Sequence, residues 1–209
     1  MLSIKELCFL LKTAKDVSEI DEKRKEIVEI IPKVSIMFEY DQNNHAHQYD
    51  LWMHSLHTVL NLPRNIDDDM LYLAALLHDI GKPDCRCGGK KEGDTNSHFY
   101  GHPEKSYEIV RDEVLPYIKS LGLFISKEDE YLLLYYVLHH DDHISLRVKY
   151  LRKHLESIDL ESFKHLMLLE VADAKAHVLI PVVQQRVEIC SQWSGEYADI
   201  MKKKLDNGL

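Results

Sequence analysis

Apolar residues recur along this chain at helical spacing, and no stretch sustains the alternation of a strand. Residues 6–31 read as one or two amphipathic helices, with Ile20, Ile27, Ile30 and Ile31 on the apolar side and charges over residues 21–26 on the other. Pro32 ends or bends that segment. From Asp50 onward the pattern is helical almost throughout. Asp67 is placed to cap a helix through Met70, Leu73, Ala74, Leu77 and Ile80, stopped by Gly81 and Pro83. That helix is apolar on nearly every side, so it belongs at the centre of the core.

A loop with Cys85, Cys87, Gly88, Gly89 and Gly93 follows, and Pro103 suits the first turn of the next helix, with His102 at its cap. Ser126 and Asp129 resemble a capping box before the run 131–138, which delivers His139 and His140 at its far end. Asp159 caps a further helix carrying Phe163, Leu166, Leu169, Asp173 and His177 on one stripe, interrupted by Pro181. The segment 182–204 reads as one terminal helix. The expected architecture is all-α: residues 1–40 as a helical extension packing on the core, and residues 41–209 as the main helical domain.

With 209 residues, 45% hydrophobic and 29% charged, the chain is long and apolar enough for a real core, which excludes a disordered or fibrous class. No run reaches the ~18 apolar residues of a membrane span, and Lys5, Glu6 and Lys12 interrupt the start unlike a secretory leader. Four cysteines are too few for a disulfide scaffold, so a reducing, cytoplasmic compartment is expected. A net charge of −9 disfavours broad attachment to nucleic acid or anionic lipid.

The thirteen histidines change the picture because of where they fall. His78 and Asp79 sit inside Leu73-Ala-Ala-Leu-Leu-His-Asp-Ile-Gly-Lys82, where a buried carboxylate must be paired, hydrogen-bonded or metal-bound. His54 lies in an apolar helix with Leu56, Val59 and Leu60, and Asp173 falls on the core-facing stripe with Leu166 and Leu169. His102 and the pair His139-His140 stand at helix ends, where ligands can converge. Imidazole and carboxylate donors suit iron, manganese, nickel, cobalt or zinc, and magnesium less well. One ion is expected among His54, His78, Asp79 and Asp173. A second would be bridged through Asp79 and completed by His102 with His139 or His140.

The ordered set His54, His78-Asp79 and Asp173 resembles the HD superfamily of phosphohydrolases, and His102 with His139-His140 resembles its two-metal members. Tyr49-Asp-Leu-Trp-Met-His54, Leu76-Leu-His-Asp-Ile-Gly-Lys-Pro83 and His98-Phe-Tyr-Gly-His102 are similar to the HD region that accompanies some bacterial tRNA nucleotidyltransferases. The nucleotidyltransferase head is missing, as is the Gly-Tyr-Pro segment of cyclic-dinucleotide enzymes. The resemblance implies an all-α HD bundle with a metal site in its core, and hydrolysis of a nucleotide or other small phosphate ester. Asp79 and Lys82 would be central to the chemistry, with His177 orienting a ligand or touching substrate. Two rival functions remain: a non-catalytic metal-stabilised module contacting RNA, and a di-iron oxygenase.

Other residues have blander readings. Lys82 can be explained by a helix C-terminus that favours a cation. His45 and His47 read as solvated loop residues, and His143 with Asp141 and Asp142 as an exposed acidic turn. Cys85 and Cys87 lack a second pair to complete a zinc site. Tyr131, Tyr135 and Tyr136 read as core residues with polar tips.

Overall fold

The computed structural model describes residues 2–90 and 93–208. Ser3 opens α1 (Ile4–Thr13) through a reciprocal cap, its hydroxyl accepting from the Glu6 N–H while the Glu6 carboxylate accepts from the Ser3 N–H. The expected one or two N-terminal helices are three, because Asp16 caps a new turn at Ser18. They are α1, α2 (Val17–Asp21) and α3 (Arg24–Ile30). Pro32 then starts a 3₁₀ turn, Pro32–Met37. Ile20, Ile27, Ile30 and Ile31 are all fully buried, and these elements join one continuous apolar core with α4 (Leu51–Asn61) and α5 (Asp69–Leu77).

Helix α5 is buried on every side from Met70 to Leu77, as its composition predicts. Its cap is Asp68 rather than Asp67. Asp68 Oδ1 accepts from the N–H groups of Met70 and Leu71, and its Oδ2 accepts from Tyr136 and His165, whereas Asp67 is exposed beside Lys12. The helix also stops at Leu77, short of Ile80, so His78 to Gly81 form a turn. Pro83 falls in the first turn of a short helix, α6 (Lys82–Cys85), where its missing N–H costs nothing. Two short strands, β1 (Cys87–Gly88) and β2 (Ser97–His98), pair antiparallel within the expected loop.

Helix α7 (His102–Ile109) begins at His102 itself, and Gly101, at φ 76°, takes the cap position. It continues through a π turn (Val110–Val114) into α8 (Leu115–Ser120). Pro116 explains the π turn: it has no N–H for the carbonyl of residue 112, and Leu115 bonds back to Val110 instead. Ser126 caps α9 (Lys127–His139), which is followed by α10 (Val148–Leu155). Asp159 caps α11 (Leu160–Ala176), as read from the sequence. The single terminal helix expected over 182–204 is two, α12 (Pro181–Trp193) and α13 (Glu196–Asp206), because extended backbone at Gly195 breaks it. Among the described residues no helix is long and apolar enough to cross a membrane.

Helix α11 packs on α4 and α12, and α5 packs on α1, α4 and α9. The start of α4, the end of α5 and the end of α11 are thereby gathered around one point. Helix α7 reaches that point because residue 81 has no side chain. A Cβ on Gly81 would lie 2.5 Å from the Ser106 nitrogen, 2.8 Å from the Lys105 carbonyl carbon and 2.9 Å from the His102 oxygen. The Gly81 N–H donates to Ser106 Oγ at 2.9 Å across the same contact. Gly81→Ala is expected to push α7 away and to lower stability by about 1–3 kcal/mol. A urea midpoint shift at unchanged slope measures this.

Candidate metal centre

His54, in the first turn of α4, points its Nε2 at Asp173 Oδ1 (2.9 Å) and Asp79 Oδ2 (3.3 Å). His78, in the turn after α5, places Nε2 3.2 Å from Asp79 Oδ2 and 3.5 Å from Asp173 Oδ1. The structure thus brings together all four residues of the first expected set, each buried. Apart from the ion pair that Lys82 makes with Asp79 Oδ2, the atoms His54 Nε2, His78 Nε2, Asp79 Oδ1 and Oδ2 and Asp173 Oδ1 have no hydrogen-bond partner. Buried polar atoms without partners are costly, and their convergence is the arrangement a cation repairs. Metal–ligand bonds of about 2.0–2.2 Å in a tetrahedral site imply ligand separations of about 3.3–3.6 Å, near those observed.

The imidazole orientations support the same reading. The Nδ1 of His78, His102 and His140 lies 2.9, 2.9 and 2.8 Å from the carbonyls of Ala75, Phe99 and Val137 respectively. A carbonyl only accepts, so each Nδ1 carries a hydrogen and each ring turns its Nε2 into the site, where a metal ion could take the place of a proton. His102 Nε2 lies 3.1 Å from Asp79 Oδ1, and His140 Nε2 lies 3.6 Å from it. The two Nε2 atoms are themselves 3.1 Å apart. Two facing lone pairs repel unless a proton or a metal ion lies between them. Asp79 therefore presents Oδ2 to one group of donors and Oδ1 to a second.

His139 does not join this second group. It is the neighbouring His140 that does, because a helical step of about 100° turns adjacent side chains to different faces; His139 meets Asp142 and His154 instead. Lys82 is not at a helix C-terminus, since α6 begins there. Its buried ammonium lies 2.6 Å from Asp79 Oδ2, donates to Gln42 Oε1 at 3.0 Å and stands over the Phe99 ring.

His47 is the residue that sequence reasoning misplaced as solvated loop. Backbone pairing of His47 with His177, reinforced by the Val178 N–H to Ala46, straps that polar loop to the end of α11. The His47 ring then lies 4.4 Å from that of His177 and 5.5 Å from that of His54. His45 and His143 are exposed, as expected. Arg186 of α12 was also missed. It donates to Glu170, Asp141 and the His140 carbonyl, so Asp141 is tied down rather than a free acidic turn. No local pattern marks Arg186; only the packing of α12 on α11 brings it here.

A cleft of about 320 Å³ opens onto Asp79, Lys82, His102, Asp173 and His177. A larger hollow of about 650 Å³, beside Asp68 and His165, contains none of these groups.

Residues 45–183 match the HD domain family, well over half of the chain. The chain belongs to the HD domain family. Its members are mostly metal-dependent hydrolases, and the buried His/Asp cluster of this HD domain fits a divalent metal site. No curated protein matches the chain.

The field inside this HD domain favours positive charge. Burial opposes ionisation of Asp79, but His78 and Lys82 outweigh it and hold its carboxyl well below the usual carboxylate range. Burial likewise opposes a charged His78, but Asp79 and Asp173 push it up to about 10, so a proton is held where a metal ion would be. Burial lowers His47 to about 2 and His177 to about 4. The same cause lowers His154 to about 4.

These shifts set a pH profile for the chelator-treated protein. His47, His154 and His177 protonate more readily unfolded, so their stability contribution is present above about pH 6.5 and is lost as pH falls toward 4. His78 holds its proton more tightly when folded, so its contribution is present below about 6.5 and is lost as pH rises toward 10. Melting temperature should therefore peak near pH 6.5; a monotonic profile from pH 4.5 to 9 would contradict these assignments. Asp79→Asn should release bound metal, and elemental analysis of protein purified without chelators would show unchanged content if Asp79 were not a ligand.

Proposed function

We propose that this HD domain hydrolyses a phosphate ester, either a nucleotide or another small monoester or diester. The observation that carries this reading is the division of Asp79, whose two buried oxygens face two separate sets of donors. His54, His78, Asp79 and Asp173 would hold one ion, and Asp79, His102 and His140 a second. The nitrogen-rich donors favour iron, manganese, cobalt, nickel or zinc over magnesium. A divalent ion held by these residues would supply Lewis acidity, lowering the pKa of water and polarising a phosphoryl oxygen.

The chain's own residues supply the rest. Lys82, fixed by Asp79 and Gln42, presents an ammonium at the cleft to neutralise a nonbridging oxygen or protonate the departing one. His177 donates from Nδ1 to the Asp173 carbonyl at 2.9 Å, which leaves its Nε2 as an acceptor for substrate or water. Phe99 walls the cleft beside Lys82, its ring face 5.6 Å from the ammonium. The cleft is small for a polymer, which favours a small ester over folded RNA.

Protein loaded with the metal found by elemental analysis should release phosphate or open a diester in a screen of nucleoside mono-, di- and cyclic phosphates, and chelation should abolish this. Lys82→Met should retain metal content and lose about 10²-fold in kcat, the scale for removing one transition-state donor. Full metal occupancy with no turnover across the screen would favour the non-catalytic binding module. Oxygen uptake with a polyol would favour the oxygenase.

A further inference from the structure

His139, Asp142 and His154 form a second cluster that the chemistry above does not use. His139 ends α9, Asp142 lies three residues on in the following turn, and His154 comes from the last turn of α10. His139 Nδ1 is 3.0 Å and His154 Nε2 is 3.8 Å from the same oxygen, Asp142 Oδ2, and all three donor atoms lie within 4.8 Å of one another.

His154 is the informative member. It is fully buried, its ring stands among those of Tyr135, Tyr150 and Phe163, and its Nε2 has no hydrogen-bond partner. Its Nδ1 lies 2.8 Å from the Tyr135 hydroxyl. With the hydrogen on Nδ1, donated to that hydroxyl, Nε2 keeps a lone pair aimed at the gap beside Asp142. At 3.8 Å the carboxylate is too far to accept from Nε2, so a proton there would not satisfy the atom. A nitrogen held so in an aromatic wall calls for a partner.

We propose that His139, Asp142 and His154 bind a zinc-type ion distinct from the Asp79 centre. Two imidazoles and one carboxylate are zinc donors, and a water would complete a four-coordinate set. Tetrahedral bonds of about 2.0–2.2 Å require ligand separations of about 3.3–3.6 Å, and the observed 3.0 and 3.8 Å bracket that range. The Lys153 ammonium, 2.9 Å from Asp142 Oδ2, now supplies the positive charge; it is on a largely exposed side chain and can swing into solvent when an ion enters. The Tyr135 hydroxyl can accept from Nδ1 and so hold the His154 ring in place, as outer partners of metal-bound histidines do. The ion would clamp the end of α9 to α10. Between its ligands lie His140 and Asp141, the first facing Asp79 and the second holding Arg186. Its role is structural, fixing the turn that presents His140.

Calorimetric titration of chelator-treated protein with zinc tests this. Wild type should bind one equivalent more than His139→Gln or Asp142→Asn, and zinc should raise the melting temperature of the variants less. Both substitutions keep size and sit at partly exposed positions, so either variant retains its fold by circular dichroism. Phosphate-ester turnover is not needed as a readout, so the result is independent of the proposed activity. A folded variant that keeps the wild-type zinc stoichiometry overturns the site.

Discussion

The structure depends on a buried carboxylate that ordinary side-chain pairing does not satisfy. Asp79 is 1% exposed, and His54, His78, Lys82, His102 and His140 all direct nitrogen at its two oxygens. Removing a carboxylate from water costs several kcal/mol, and one lysine on one oxygen does not offset that for both. The helices that carry these nitrogens must be held in place by apolar packing elsewhere, because the site itself resists assembly without positive charge. The apolar α5, buried on all sides, and the long α11 are the rigid supports that permit it.

Backbone proximity matters as much as charge. The absence of a side chain at Gly81 lets α7 approach the turn that carries Asp79, and the Gly101 conformation starts α7 with His102 directed inward. On the other flank, backbone bonds between the loop at Ala46 and His47 and the end of α11 at His177 and Val178 bring two neutral imidazoles to the edge of the cleft. Two hydrogen-bonded contacts of this kind convert a helical bundle into a site with a rim.

The opposite end of α5 shows how the fold satisfies a buried carboxylate without a metal. Asp68 accepts from two backbone N–H groups, from Tyr136 and from His165, so its charge is met by ordinary hydrogen bonds. Asp79 has no comparable donors except Lys82, and that contrast between the two flanks of one helix distinguishes a structural carboxylate from one suited to a cation.

Residues whose meaning lies in local spacing were legible from sequence alone. The all-helical class, the caps at Ser126 and Asp159, the burial of Ile20 and Ile27, and the grouping of His54, His78, Asp79 and Asp173 follow from apolar period and from polar groups set against it. Residues whose role depends on which helix face meets which neighbour were not. Nothing local separates His139 from His140, yet the helical turn between them sends one to Asp79 and the other to Asp142. His47 looked solvated because its neighbours are polar, and only long-range backbone bonds carry it inward. Asp67 and Asp68 are equivalent caps on paper, and the tyrosine and histidine from α9 and α11 decide between them. Period is a property of consecutive residues, whereas convergence is a property of distant ones, and only tertiary packing supplies the second.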